Sequence, residues 1–118
     1  MKYLMLVKHA EIQGKQAPPQ ALMEAMGKFV EDGFKSGVLK DTAGLKPTAE
    51  GFRIRSSKKR LTVSDGPFTE TKEVIGGYAL VEVPSRDEAM NIAQQFMELH
   101  RLHWPEFEFE CEVRPLDS

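Results

Sequence analysis

The residues best equipped for chemistry lie in one stretch, S-D-G-P-F-T-E-T-K-E, residues 64 to 73, which holds a turn, two threonines and closely spaced charges. Asp65 is an acid able to exchange a proton. In Asp65-Gly66-Pro67, however, the carboxylate can accept its own backbone amides, Gly66 permits a positive φ and Pro67 stiffens the exit. Turn building alone accounts for those three residues. Thr69 to Glu73 ask for more: in an extended chain Glu70 and Lys72 share one side while Thr71 and Glu73 share the other. Such faces either hold a polar ligand or lock the loop with salt bridges and hydroxyl bonds. From the residues alone, the structural clasp is the favoured reading.

Three histidines complete the candidates. His9 stands one step past an apolar run, at the end of a strand, where a neutral imidazole can act as acid or base near the mouth of a sheet; a polar strand terminator is the plainer explanation. His100 and His103 have the i, i+3 spacing that sets two imidazoles on one helix face, but no cysteine or carboxylate-rich motif joins them, so no metal site is expected. Their neighbours Trp104 and Pro105 look like a helix terminus, where histidines favour the negative end of the dipole. There is no Gly-rich phosphate loop, no Gly-x-Ser-x-Gly elbow and no nucleophile with a readable base. No cofactor is implied.

These residues must be positioned by elements that the hydrophobic pattern makes visible. Lys2 to Val7 form a near-continuous apolar run, as a central strand does. After Gly14 and Pro18-Pro19, the spacing of Leu22, Met26, Phe29, Val30 and Gly33 predicts an amphipathic helix that ends at Gly37, a left-handed C-cap. Residues 38 to 47 begin as a strand and dissolve into a loop open to a functional role. Residues 51 to 57 and 60 to 64 predict a hairpin with Phe52, Ile54, Leu61 and Val63 inward and a basic outer face of Arg53, Arg55, Lys58, Lys59 and Arg60. That face reads as solvated surface ahead of a steering patch for an anion. Residues 73 to 83 form a second long strand whose Gly76-Gly77 pair signals a bulge or a close approach by another backbone or a ligand. Ser85 and Glu88 make a capping box for a helix striped with Ala89, Ile92, Ala93, Phe96 and Leu99. Residues 106 to 113 alternate Phe107, Phe109, Cys111 and Val113 against four glutamates, a strand with one wet or interfacial face.

The order is α+β, with both helices on one side of an antiparallel sheet, and a ferredoxin-like βαββαβ topology is expected. One face of such a sheet is left uncovered, and Tyr3, Met5, the aliphatics of residues 74 to 83 and Phe107 are expected to supply apolar groups for it. A second copy is the natural cover, so a homodimer is expected. The chain of 118 residues suits a single domain, 1–118. With 16 Lys and Arg against 18 Asp and Glu, it lacks the basic excess of a nucleic-acid binder. The apolar start, broken by Lys8 and His9, is too short for a membrane span and has no signal-peptide cleavage region, and the lone Cys111 reads as a core residue. A cytoplasmic protein is expected.

Asp65-Gly66-Pro67-Phe68 with Thr69-Glu70-Thr71-Lys72-Glu73, followed by Ile75-Gly76-Gly77-Tyr78, closely resembles the signature of the YCII-related, or DGPF-domain, family. The opening Met1 to Leu6 is similar to that family's first strand. The resemblance implies a dimeric α+β barrel of ferredoxin-like protomers, and it turns the motif from a clasp into the wall of a cleft. It further implies a His and Asp pair for acid/base chemistry. The motif places the acid at Asp65; the family's histidine has no matched position, and His9 is the histidine nearest the sheet. Two functions follow. The first is a small-molecule site with lyase or isomerase chemistry by Asp65 and His9, the ligand held by Gly66, Pro67, Phe68, Thr69, Glu70, Thr71 and Lys72. The second, also implied by the resemblance, is a non-catalytic regulatory module that partners an extracytoplasmic-function sigma factor.

Overall fold

The computed structural model describes residues 1–11 and 16–117. Among these residues six strands and two α-helices run in the order β1 (Lys2–His9), α1 (Gln20–Ser36), β2 (Leu39–Gly44), a 3-10 turn (Thr48–Glu50), β3 (Phe52–Ser57), β4 (Arg60–Asp65), β5 (Val74–Glu82), α2 (Arg86–His103) and β6 (Glu110–Pro115). Four strands form an antiparallel sheet in the order β2-β5-β1-β6, and β3 with β4 form a separate hairpin inserted between β2 and β5. Leaving the hairpin aside, this is the split βαβ arrangement that the element order predicts.

Local signals account for most boundaries. α1 starts directly after Pro19 and ends at Gly37, whose φ of 82° lies in the left-handed region. Gly14, the break expected before α1, falls outside the described residues. Ser85 caps α2 by accepting the Glu88 amide at 3.2 Å, and Asp87 and Glu88 sit in its positive first turn. α2 closes at His103, where the Trp104 amide returns to the His100 carbonyl at 2.8 Å. No helix among the described residues is long and apolar enough to cross a membrane.

Strand parity decides which face each side chain takes. Tyr3 and Met5 of β1, Val81 of β5 and Ala89 and Ala93 of α2 form the main core between sheet and helices, with Cys111 and Val113 packed against it. Leu22, Trp104 and Phe107 form a second cluster at the other end. Tyr3, Met5 and Phe107 are thus spent under the helices. The uncovered face carries instead the half-buried Leu4 and Leu6, which pair with Leu80 and Tyr78. This corrects the expected membership of that face, and the cause is the two-residue period of β1.

A second correction concerns the hairpin. Its register holds, with Ile54 opposite Val63 and Arg55 opposite Thr62. Yet Phe52, Ile54, Leu61 and Val63 are between 57% and 74% exposed, so no inward side exists within one chain. Alternation predicts that these four share a face; it cannot say that anything covers it. The expected strand over 106 to 113 is also shorter, starting at Glu110, because Phe107 closes a turn onto the Trp104 carbonyl.

Candidate functional site

β1 and β2 end, and β5 begins, at the same end of the sheet. The 3-10 turn and residues 66 to 72 close over this end and leave a cleft of about 740 Å³. His9, Glu11 and Gly76 border it from the sheet, Leu45 to Ala49 from the β2 side, and Pro67, Phe68, Thr69, Thr71 and Lys72 from the motif.

Glu11 organises the closure. Its carboxylate accepts the Thr48 amide at 2.8 Å and the Thr48 hydroxyl at 2.5 Å, capping the 3-10 turn. The same hydroxyl oxygen accepts the Phe68 amide at 3.3 Å, which ties the motif to the end of β1 through one threonine. Below it, the Gly66 amide donates to the Gly51 carbonyl at 2.9 Å. A Cβ on Gly66 would overlap the Thr48 carbonyl, so glycine is required by backbone approach. Gly66 does not have the positive φ that a turn reading assigns to it; among the described glycines only Gly37 does. The Gly66–Pro67 bond is cis.

Thr69 to Glu73 are not extended. A turn over Thr69 and Glu70, with the Thr71 amide on the Phe68 carbonyl at 3.1 Å, breaks the two-face alternation. Thr69, Thr71 and Lys72 therefore share the cleft wall while Glu70 leaves it. Glu70 pairs with Arg53 of β3, whose guanidinium also lies 4.2 Å above the Phe68 ring. Asp65 stands at the end of β4, exposed and outside the cleft lining, opposite Phe52. No donor to its carboxylate occurs among the described residues.

His9 is brought to the motif. Its Nδ1 lies 2.9 Å from the Ala10 carbonyl, and since a carbonyl only accepts, the neutral ring has its proton on Nδ1 and its lone pair on Nε2. That atom faces Gly76, where any Cβ would collide with the ring. The glycine pair fulfils both of its sequence alternatives. Gly76 is the extra residue of a bulge, because Val7 pairs with Gly77 and Lys8 with Ile75, and it also yields space to His9. A Cβ at Gly77 would stand 3.0 Å from the Ala43 carbonyl oxygen.

Beyond the shared border of His9, Leu45 and Gly76 lies a chamber of about 510 Å³ between sheet and helices. His100 borders it, 8% exposed, with Nδ1 2.9 Å from the Phe96 carbonyl. Burial lowers its pKa below the ordinary value, partly opposed by that hydrogen bond. Burial likewise raises the Cys111 thiol. On the uncovered face, Lys8 donates to Glu112 at 2.6 Å, and this bond raises the lysine and lowers the carboxyl. Sequence reasoning flagged the loop after β2 but missed Glu11 and Thr48, and it read His100 as a helix-terminus residue and not as a buried wall of the chamber. Only Pro47, a loop marker beside Thr48, hinted at the clamp.

Compared with known sequences, residues 1–98 match the family described as the YCII-related domain. The match ends within α2, before β6. An uncharacterised protein of Rhizobium meliloti (strain 1021) is 40% identical over 67 residues, 57% of this chain. The aligned part spans 51% of that relative, about half its length.

Proposed function

The chain belongs to the YCII-related domain family, and on that premise we propose that it is a homodimeric small-molecule-binding domain whose site is the cleft between His9 and the DGPF motif. One observation carries this reading: a single cleft of about 740 Å³ is bordered by His9, Pro67, Phe68, Thr69, Thr71 and Lys72 together. Its size falls in the range of small-molecule sites, and its wall is mainly apolar with a few polar groups converging. The two threonine hydroxyls and the Lys72 ammonium suit a ligand with carbonyl or anionic oxygens. The Nε2 lone pair of His9 is placed to take a proton, so the chemistry this arrangement supports is acid/base, of the lyase or isomerase kind.

Asp65 enters as the second acid/base group of the assembled dimer. Its carboxylate stands at the base of a hairpin whose apolar face is uncovered in one chain, and a second copy seated there would take it out of water. Crystals soaked in carboxylates and keto acids test the reading. Density within hydrogen-bond reach of Lys72 and His9 supports it; a cleft that stays empty across the series, with His9→Gln and Asp65→Asn changing no turnover, defeats it. The exposed apolar hairpin favours a second reading, docking of a protein such as a sigma factor, and a complex that forms equally well with His9→Gln would support that one.

A further inference from the structure

We infer that the chamber on the helix side of His9 is a separate binding site for a neutral, flat, largely apolar molecule carrying an N–H or O–H donor. Among the described residues the two compartments share only His9, Leu45 and Gly76. Among the described residues no charged side chain borders the inner one, so none of them pairs with an ionised ligand there. Its far wall is aromatic: Trp104 stacks on Phe107 at 4.1 Å, Phe107 lies 4.4 Å from Phe109, and His100 packs between Phe96 and Phe109 at 4.5 and 4.4 Å. Such surfaces take planar rings by stacking and edge contacts. Leu22, Met26 and Phe29 of α1 pack beside these rings and continue the border, and methionine adapts to ligands of varied outline.

The polar atoms choose the ligand's polar group. The Thr42 hydroxyl already donates to the Tyr78 carbonyl at 2.8 Å. Each bordering histidine spends Nδ1–H on a carbonyl, His9 on Ala10 and His100 on Phe96, which leaves two Nε2 acceptors and no imidazole donor. A bound ring therefore gains by bringing a donor. The inference does not rest on the motif cleft, from which a ligand would not touch Trp104.

The chain has a single tryptophan, so its indole N–H gives one assigned signal in a 15N-labelled sample. Indole, benzofuran and indole-3-carboxylate are titrated separately into the full chain. Indole is expected to move the Trp104 signal saturably, benzofuran to do so roughly three- to tenfold more weakly for want of the N–H, and the carboxylate to leave the Trp104 signal unmoved. His100→Phe, which keeps a ring, is expected to bring indole down toward benzofuran, whereas Lys72→Ala leaves the three Trp104 responses as they are in wild type. A Trp104 signal that indole does not move overturns the site. Indole no tighter than benzofuran, or a carboxylate that moves the Trp104 signal as well, overturns the ligand class. The wild-type titrations decide both points even if His100→Phe does not fold, and neither failure touches the cleft reading, which Lys72 reports.

Discussion

Replacing Gly66 by alanine and Gly76 by alanine adds one methyl in each case, yet the structure demands different outcomes. At Gly66 the new Cβ would occupy the place of the Thr48 carbonyl, and that carbonyl is held. It accepts the Gly51 amide at 3.0 Å, and its residue is fixed by two bonds to Glu11 at 2.8 and 2.5 Å. Relief requires the motif to lift away, which breaks the Gly66–Gly51 bond at 2.9 Å and the Phe68–Thr48 bond at 3.3 Å and opens the packing of Pro67 and Phe68. Two bonds at about 1 kcal/mol each, with roughly 1 kcal/mol for overpacking, give a loss of about 3 kcal/mol. At Gly76 the obstacle is an imidazole that can rotate at the cost of its Ala10 bond, about 1 kcal/mol. Urea unfolding at one fixed protein concentration measures both, with an unchanged slope as the control for two-state behaviour. Gly66→Ala costing less than about 1 kcal/mol, or Gly76→Ala costing as much as Gly66→Ala, refutes the argument that a backbone clash rather than a side-chain clash holds the motif.

Thr48→Ala removes the hydroxyl shared by Glu11 and Phe68 and is expected to cost about 1–2 kcal/mol in the same assay, with Thr48→Ser restoring most of it; a serine as damaging as alanine would count against the clamp. His100 is held neutral, its folded pKa below the unfolded value of 6.5, so the unfolded chain binds a proton that the folded chain refuses. Its stabilising share is complete above that pH and is lost as pH falls through it, and unfolding midpoints at about pH 7.5 and about pH 5.5 should diverge less in His100→Phe than in wild type. Sedimentation should find twice the 13.3 kDa of one chain, and Ile54→Asp with Leu61→Asp should halve that mass if the hairpin's apolar face meets a second copy; a wild-type monomer removes the dimer from the proposal.

The motif was legible as a unit because its turn residues are local: Pro67 stiffens the chain and Gly66 tolerates crowding whatever the rest of the fold does. Why Gly66 is a glycine was not legible. The reason is a carbonyl 18 positions earlier, and Thr48 meets Gly66 only after β3 and β4 pair and return the chain. The same holds for Glu70. Its spacing from Lys72 suggested a shared face, but the Thr69–Glu70 turn and Arg53 on another strand decided where it went.

The hydrophobic period placed the two helices and the central strands, since burying an apolar stripe is a local demand that any compact fold must meet. Capping residues then set the ends at Gly37 and Ser85 within a residue of the observed caps. What periodicity leaves open is which face meets which partner. Tyr3 and Leu4 are both apolar, and only the docking of α2 on one side of β1 makes the first core and the second half-exposed. For the same reason the site's composition belonged to tertiary structure: His9 meets Gly76, His100 meets Phe109, and Glu11 meets Thr48 across distances in the chain that no local pattern spans. Sequence by itself determined the elements and the motif, because those follow from near neighbours. The fold alone decided the cleft, the inner chamber and the residues they share, because those exist only where distant strands and helices close on one another.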